Sequence, residues 1–204
     1  DIVDLERLRQ LGKPFWLAGG YGRPEKLKEA LDAGDAGVLV GTVFAVCAES
    51  GLRPDLKQRL LAKIREGRAE VLTSAVASPT GFPFKVVRME GTMSEQAVYA
   101  ARPRACDLGF LRTIYKKEDA TLGYRCPAEP VDDYVRKGGQ AAETVCRTCL
   151  CYNLMATAGF EQHRRDGYIE QPILTSSGDL ESVCQFTESE NYTAANVVER
   201  MLRG

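Results

Sequence analysis

Short apolar runs that stop at glycine alternate with stretches in which apolar residues recur every third or fourth position, and this alternation organises the first part of the chain. Phe15 to Ala18 is one such run, ended by Gly19-Gly20-Tyr21-Gly22, and Val38 to Val40 is another, ended by Gly41-Thr42. Between them Leu27, Ala30 and Leu31 keep helical spacing from Pro24, a favoured first helical residue, to Ala33, and Gly34 follows the end. The pattern predicts strand, glycine turn and helix, read twice, with the two strands parallel. Leu5, Leu8 and Leu11 predict a short amphipathic helix over Asp4–Leu11. Val43 to Ala48 predicts a further short helix, and Leu56, Leu60, Leu61 and Ile64 a longer one over Asp55–Glu66, ended by Gly67.

From residue 69 the periodicity weakens. Ala69–Ala77 reads as extended, and Ser78–Phe84 as a loop, because Pro79, Gly81 and Pro83 interrupt regular structure. Arg88–Arg104 and Tyr115–Glu129 are mixed and polar; their neighbourhood supplies Tyr99, Phe110, Tyr115 and Tyr124, expected as anchors onto the first part. Asn153–Ala158 predicts a helix ended by Gly159, Glu161–Arg165 a polar helical stretch exposing His163, and Gly167–Thr175 an extended surface segment. A terminal helix is predicted over Thr193–Leu202, capped by Thr193, with Val197, Val198, Met201 and Leu202 on its buried face. No internal repeat or low-complexity tract occurs.

Composition narrows the class. At 204 residues the chain is long enough for a sizeable core, and a net charge of -1 with a pI near 6.0 argues against a general nucleic-acid partner. No run of about 18 apolar residues and no charged-then-apolar leader is present, so a soluble cytoplasmic protein with no membrane partner is expected. Seven cysteines, an odd number, with three of them in Cys146-Arg-Thr-Cys149-Leu-Cys151, look less like a secreted disulfide framework than like reduced thiols or a metal site. The first residue is Asp rather than Met, the pattern of a fragment or processed product.

Two readings of the glycines stand side by side. Gly19, Gly20, Gly22 and Gly41 bring backbone N–H groups close together next to helix starts, which suits a phosphate. Alternatively they only make tight turns in a parallel sheet. Thr42 likewise is either a hydroxyl donor to an anion or a helix N-cap.

The segment Pro14-Phe-Trp-Leu-Ala-Gly-Gly-Tyr-Gly22, followed by Leu31-Asp-Ala-Gly-Asp-Ala-Gly-Val-Leu-Val-Gly-Thr-Val-Phe44, resembles the last two βα units of the nitronate monooxygenase (2-nitropropane dioxygenase) family over positions 14 to 51. FabK-type enoyl reductases and other FMN barrels share much of this pattern. The resemblance implies an α/β fold: residues 1–68 would be the C-terminal βα units of an FMN-binding TIM barrel, and 69–204 a mostly helical or irregular, cysteine-containing extension packed on it. It implies an FMN whose phosphate is held by backbone N–H groups of Gly19, Gly20, Gly41 and Thr42, with Gly22 in the same turn and the Thr42 hydroxyl as a further donor. The implied activity is a flavin-dependent oxidoreductase or monooxygenase acting on a small molecule. The alternatives are a FabK-like enoyl reductase using NAD(P)H, and a non-catalytic subunit that completes a partner's barrel.

Two strands do not make a barrel, so the resemblance also implies that an upstream segment or a second polypeptide supplies the others. The family's catalytic histidine follows an earlier strand, and nothing here corresponds to it, so no catalytic residue is assigned. The cysteine-rich remainder resembles the extended tail of a subgroup of these flavoproteins. On that basis Cys106, Cys126, Cys149 and Cys151, with Cys146 as substitute, are the candidate ligands of zinc or an iron–sulfur cluster. Buried free thiols and disulfides remain the alternatives, and Cys47 and Cys184 are expected to be structural.

Overall fold

The structure, a computed structural model, describes residues 3–187 and 191–203. In chain order the elements are α1 (Leu5–Gln10), β1 (Trp16–Ala18), α2 (Pro24–Asp32), β2 (Gly37–Leu39), α3 (Thr42–Val46), α4 (Pro54–Arg65), β3 (Val71–Ser74), β4 (Phe84–Val87) and α5 (Gln96–Ala101). They continue with β5 (Thr113–Lys116), β6 (Leu122–Arg125), α6 (Val131–Arg136), a 3-10 turn at Ala141–Thr144, α7 (Leu150–Thr157), α8 (Glu181–Cys184) and α9 (Ala194–Arg203). The fold is mixed α/β. No helix among the described residues is long and apolar enough to cross a membrane.

The chain divides into two compact units, Asp1–Ala69 with Ser177–Gly204, and Glu70–Ser176. The extension expected as 69–204 is therefore not one body: its last part returns to the unit that holds the glycine turns.

In the first unit β1 and β2 are parallel, with Trp16 opposite Gly37, Leu17 opposite Val38 and Ala18 opposite Leu39. Helix α2 makes the crossover, starting at Pro24 because proline's missing N–H costs nothing there. Its buried Ala30 lets it lie close to β2 and α9. Helix α4 buries Leu56, Leu60, Leu61 and Ile64, the four residues whose spacing predicts the helix. The core is completed by Val43, Val46 and Cys47 after the second turn, and by Val183, Phe186, Val197 and Met201 from the returning segment. Of the predicted terminal face only Val197 and Met201 are buried; Val198 and Leu202 point outward, since four positions subtend a wider arc than the surface they pack on.

Tyr192 ties the returning segment to α3. Its ring stacks on Phe186 at 4.8 Å, and its buried hydroxyl donates to the Val43 carbonyl at 2.5 Å. Burial, and then the nearby Cys47, pushes its phenol up. Tyr192→Phe is expected to cost about 1–2 kcal/mol, read as a lower urea midpoint, because the Val43 carbonyl is left without its buried donor.

The second unit carries two antiparallel hairpins, β3–β4 and β5–β6. One core gathers Ala77, Val86, Met93, Leu150 and Ile173; another gathers Cys126, Ala128, Cys149 and Tyr152. Three expectations are corrected here. Glu161–Arg165 is not helical: Arg164 and Glu170 N–H groups donate to the Tyr168 and Gln162 carbonyls, forming a small hairpin about the Asp166-Gly167 turn, with His163 exposed. The segment 167–175 does not lie on the surface as expected, because Glu170, Ile173 and Leu174 are buried. Phe110 and Tyr124 are exposed rather than packed as anchors, and Tyr99 packs against the second unit's own core of Ala77, Val86, Met93, Leu150 and Ile173.

Candidate functional site

Parallel pairing sends the carboxyl ends of β1 and β2 the same way, so the turns that follow them open on the same side of the sheet. Gly19 and Gly20 both take positive φ, 91° and 82°, a region that residues with a Cβ rarely enter, and this sharp turn is what the glycine pair provides. Gly22 has a different reason: a Cβ there would stand 2.9 Å from the Ser182 Cβ, so its absence lets α8 approach. Gly41 precedes α3, and a Cβ at that position would meet nothing within 4 Å. Gly19, Gly20, Gly22, Gly41 and Thr42 all line one cavity of about 400 Å³.

The returning segment completes the cavity wall with Ser177 and Ser182. Ser177 N–H donates to the Thr42 hydroxyl oxygen at 2.9 Å, leaving the Thr42 proton as a donor. Gln185 Nε2 donates to the Gly22 carbonyl at 2.8 Å and so braces the first turn. Asp179 lies beside Gly20, its Oδ2 3.6 Å from where a Cβ would be; Oδ1 accepts from Ser182 N–H at 3.3 Å, while Oδ2 is buried without a hydrogen-bond partner. The sequence reading missed Ser177, Asp179 and Ser182. The turn signal Ser176-Ser177-Gly178-Asp179 was present, but nothing local says that it folds back onto residues 19–42.

Among the described residues the sheet beside this cavity has two strands. Among the described residues β1 and β2 pair only with each other, and Trp16 and Leu39 are 53% and 61% exposed. Asp35 is buried, yet both of its carboxylate oxygens lack a hydrogen-bond partner.

The other predicted residues sit in the second unit. Cys106, Cys126, Cys149 and Cys151 come together in one cluster with Ala128, Leu108 and Tyr152, and all seven cysteines of the chain are free thiols. They meet as two thiol pairs. The bond from Cys126 and then the Arg112 guanidinium pull Cys106 down to about 6 against the effect of burial; the bond from Cys149 does the same for Cys151, again to about 6. Their partners are pushed the other way, first by those bonds and then by burial. Among the described residues no three His, Cys, Asp or Glu side chains stand close enough as folded to hold one ion. Cys146 is exposed, lies outside this cluster and takes a positive φ of 58°. Cys47 is buried in the core of the first unit, while Cys184 is exposed.

Comparison with protein-family models, with curated proteins and with solved structures gives no match.

Proposed function

We propose that this chain supplies the flavin-phosphate site of an FMN-dependent oxidoreductase of the nitronate monooxygenase type, its first unit being the last two βα units of a (β/α)8 barrel. The observation that carries the reading is that two glycine turns, on paired parallel strands, open into one cavity. A phosphate needs several preorganised donors and no side chain in the way. The amides of Gly41 and Thr42 and the Thr42 hydroxyl supply them, and the Gly19-Gly20 turn lines the rest of the same cavity for the remainder of the flavin chain. The Asp179 carboxylate beside Gly20 repels an anion, so the Gly41–Thr42 end takes the phosphate and Asp179 suits hydroxyl donors such as those of the ribityl arm. Bound flavin would supply the electron transfer; the residues of this chain bind and orient it.

The open edges of β1 and β2, exposed Trp16 and Leu39 and unpartnered Asp35 support a second polypeptide, or a segment upstream, as the source of the remaining strands and of the catalytic base. Calorimetric titration of the full chain with FMN and with riboflavin tests the phosphate assignment. FMN is expected to bind at least about tenfold more tightly, the worth of one or two charge-assisted hydrogen bonds. Equal affinity for the two, or no FMN binding, would overturn it.

A further inference from the structure

The second unit holds a cleft of about 940 Å³ between the β5–β6 hairpin and the end of α6, and its walls carry more positive than negative charge. Lys116, Lys117, Arg125, Arg136 and Lys137 line it against Glu118 and Asp119, in a chain whose net charge is -1. Asp119 is engaged in the hairpin turn, where it accepts from the Thr121 N–H at 3.0 Å and from the Thr121 hydroxyl at 2.6 Å. Arg136 and Lys137 are likewise engaged, by Asp133 and Glu129. Among the described residues no carboxylate forms an ion pair with Lys116, Lys117 or Arg125, so these three cations of the cleft have no counter-ion of their own.

Arg125 is fixed in place. Tyr115 stands opposite Gly123, and Gly123 and Arg125, two apart on β6, share a face of the hairpin. A Cβ on Gly123 would stand 2.5 Å from the Tyr115 ring, so the glycine lets that ring lie across the strand. The Arg125 guanidinium sits 5.1 Å from the Tyr115 ring centroid and 5.3 Å from that of Tyr134 on α6, and its Nη1 donates to the Lys137 carbonyl at 2.8 Å. A guanidinium already held by two rings and a carbonyl loses little freedom on meeting an anion, and its planar fork matches two phosphate oxygens. The end of a helix ordinarily repels an anion through its free carbonyls. Here those of Tyr134 and Val135 accept from the Gly139 and Gly138 N–H groups, and that of Lys137 from Arg125. Glu143, within electrostatic reach of Arg125, accepts from the Tyr134 hydroxyl and the Gln140 N–H.

We propose that this cleft binds a ligand bearing a pyrophosphate group, with Arg125 taking one phosphate through its fork and Lys116 and Lys117 neutralising the other. Two linked phosphates suit cations that stand on both the strand and the turn, and the volume is that of a small-molecule site rather than of an extended acidic chain. The group comes either as inorganic pyrophosphate or as the diphosphate arm of a nucleotide. The proposal is independent of the flavin reading, since it concerns other residues in the other unit.

Amide resonances of the full chain, titrated with inorganic pyrophosphate and separately with ADP, test it. Those of Lys117, Arg125 and Gly138 should shift and saturate. Tighter binding of ADP identifies a nucleotide source and tighter binding of pyrophosphate a free one, and either upholds the shared chemistry. Lys116→Gln combined with Lys117→Gln, both at exposed positions, should weaken the tighter of the two at least about tenfold with an unchanged thermal midpoint. Arg125→Gln, checked for a native circular dichroism spectrum, should do the same. Pyrophosphate and ADP that leave those three amides in place would overturn the proposal. So would unchanged affinity in the folded double-lysine variant, or a glutamate-rich peptide that moves the same amides at a lower concentration than either phosphate compound. Shifts at Gly41 and Thr42 report the other cavity, so the two readings fail separately.

Discussion

Glu170→Ala is expected to destabilise the second unit by about 3–5 kcal/mol, the cost of stripping the partner from a buried ion pair. The Glu170 side chain is 0% exposed and that of Arg102 only 4%. Arg102 Nε and Nη2 donate to the two carboxylate oxygens at 2.7 and 2.9 Å, a bidentate fork, and Arg164 donates to the same carboxylate. Burial works against the Arg102 charge, but the Glu170 carboxylate outweighs it and holds the guanidinium above its usual range. Both guanidiniums also lie over the Tyr152 ring, at 5.9 and 5.2 Å. Removing Glu170 therefore leaves two guanidiniums without their carboxylate, Arg102 buried and Arg164 largely so, and loosens the tyrosine that packs on the thiol cluster. Glu170→Gln keeps an acceptor and should cost less. Urea unfolding followed by circular dichroism reads the difference; an unchanged midpoint for Glu170→Ala would show that the pair is not buried as described.

Gly41→Leu is expected to abolish flavin binding, raising the FMN dissociation constant at least about 100-fold, while leaving the protein folded. Most glycines of the site do not separate these effects. Gly19 and Gly20 need positive φ, and Gly22 faces Ser182, so substitution there strains the fold as well as the site. Gly41 has φ −103°, which any residue adopts, and a Cβ on it meets open space at the cavity wall. A leucine there occupies the room a phosphate would take. The loss of two or more charge-assisted hydrogen bonds corresponds to at least about 2.7 kcal/mol, or 100-fold. Flavin fluorescence titration reads the affinity and thermal unfolding reads the fold. Unimpaired FMN binding by a folded Gly41→Leu protein would contradict the placement of the phosphate.

The first unit was legible in the sequence because its signals are local. Pro24 and Gly34 bracket α2, glycines end both strands, and the leucines of α4 recur at the helical period. The second unit was not, and its residues show why. In β5 and β6 Ile114, Leu122 and Tyr124 face outward, so the alternation that marks a half-buried strand is missing, and the hairpin is held by its ladder and by the Asp119–Thr121 turn. Glu170 looks like a surface residue among polar neighbours until Arg102, 68 positions earlier, neutralises it. The candidate cavity divides in the same way: its glycine turns could be read from spacing, but Asp179, Ser177 and Ser182 reach it from a distant part of the chain. The four thiols lay between these cases. Their residues could be selected by motif, yet their meeting depends on three loops that carry no periodic signal.

The most direct test of the flavin-phosphate account maps ligand contact residue by residue on the full chain in solution. Amide resonances of Gly19, Gly20, Gly41 and Thr42 should shift when FMN is added and those of Gly41 and Thr42 when inorganic phosphate is added, whereas riboflavin should leave Gly41 and Thr42 in place. If phosphate and FMN leave those four amides unmoved, or move only residues outside that cavity, the glycine turns are structural bends and the account fails.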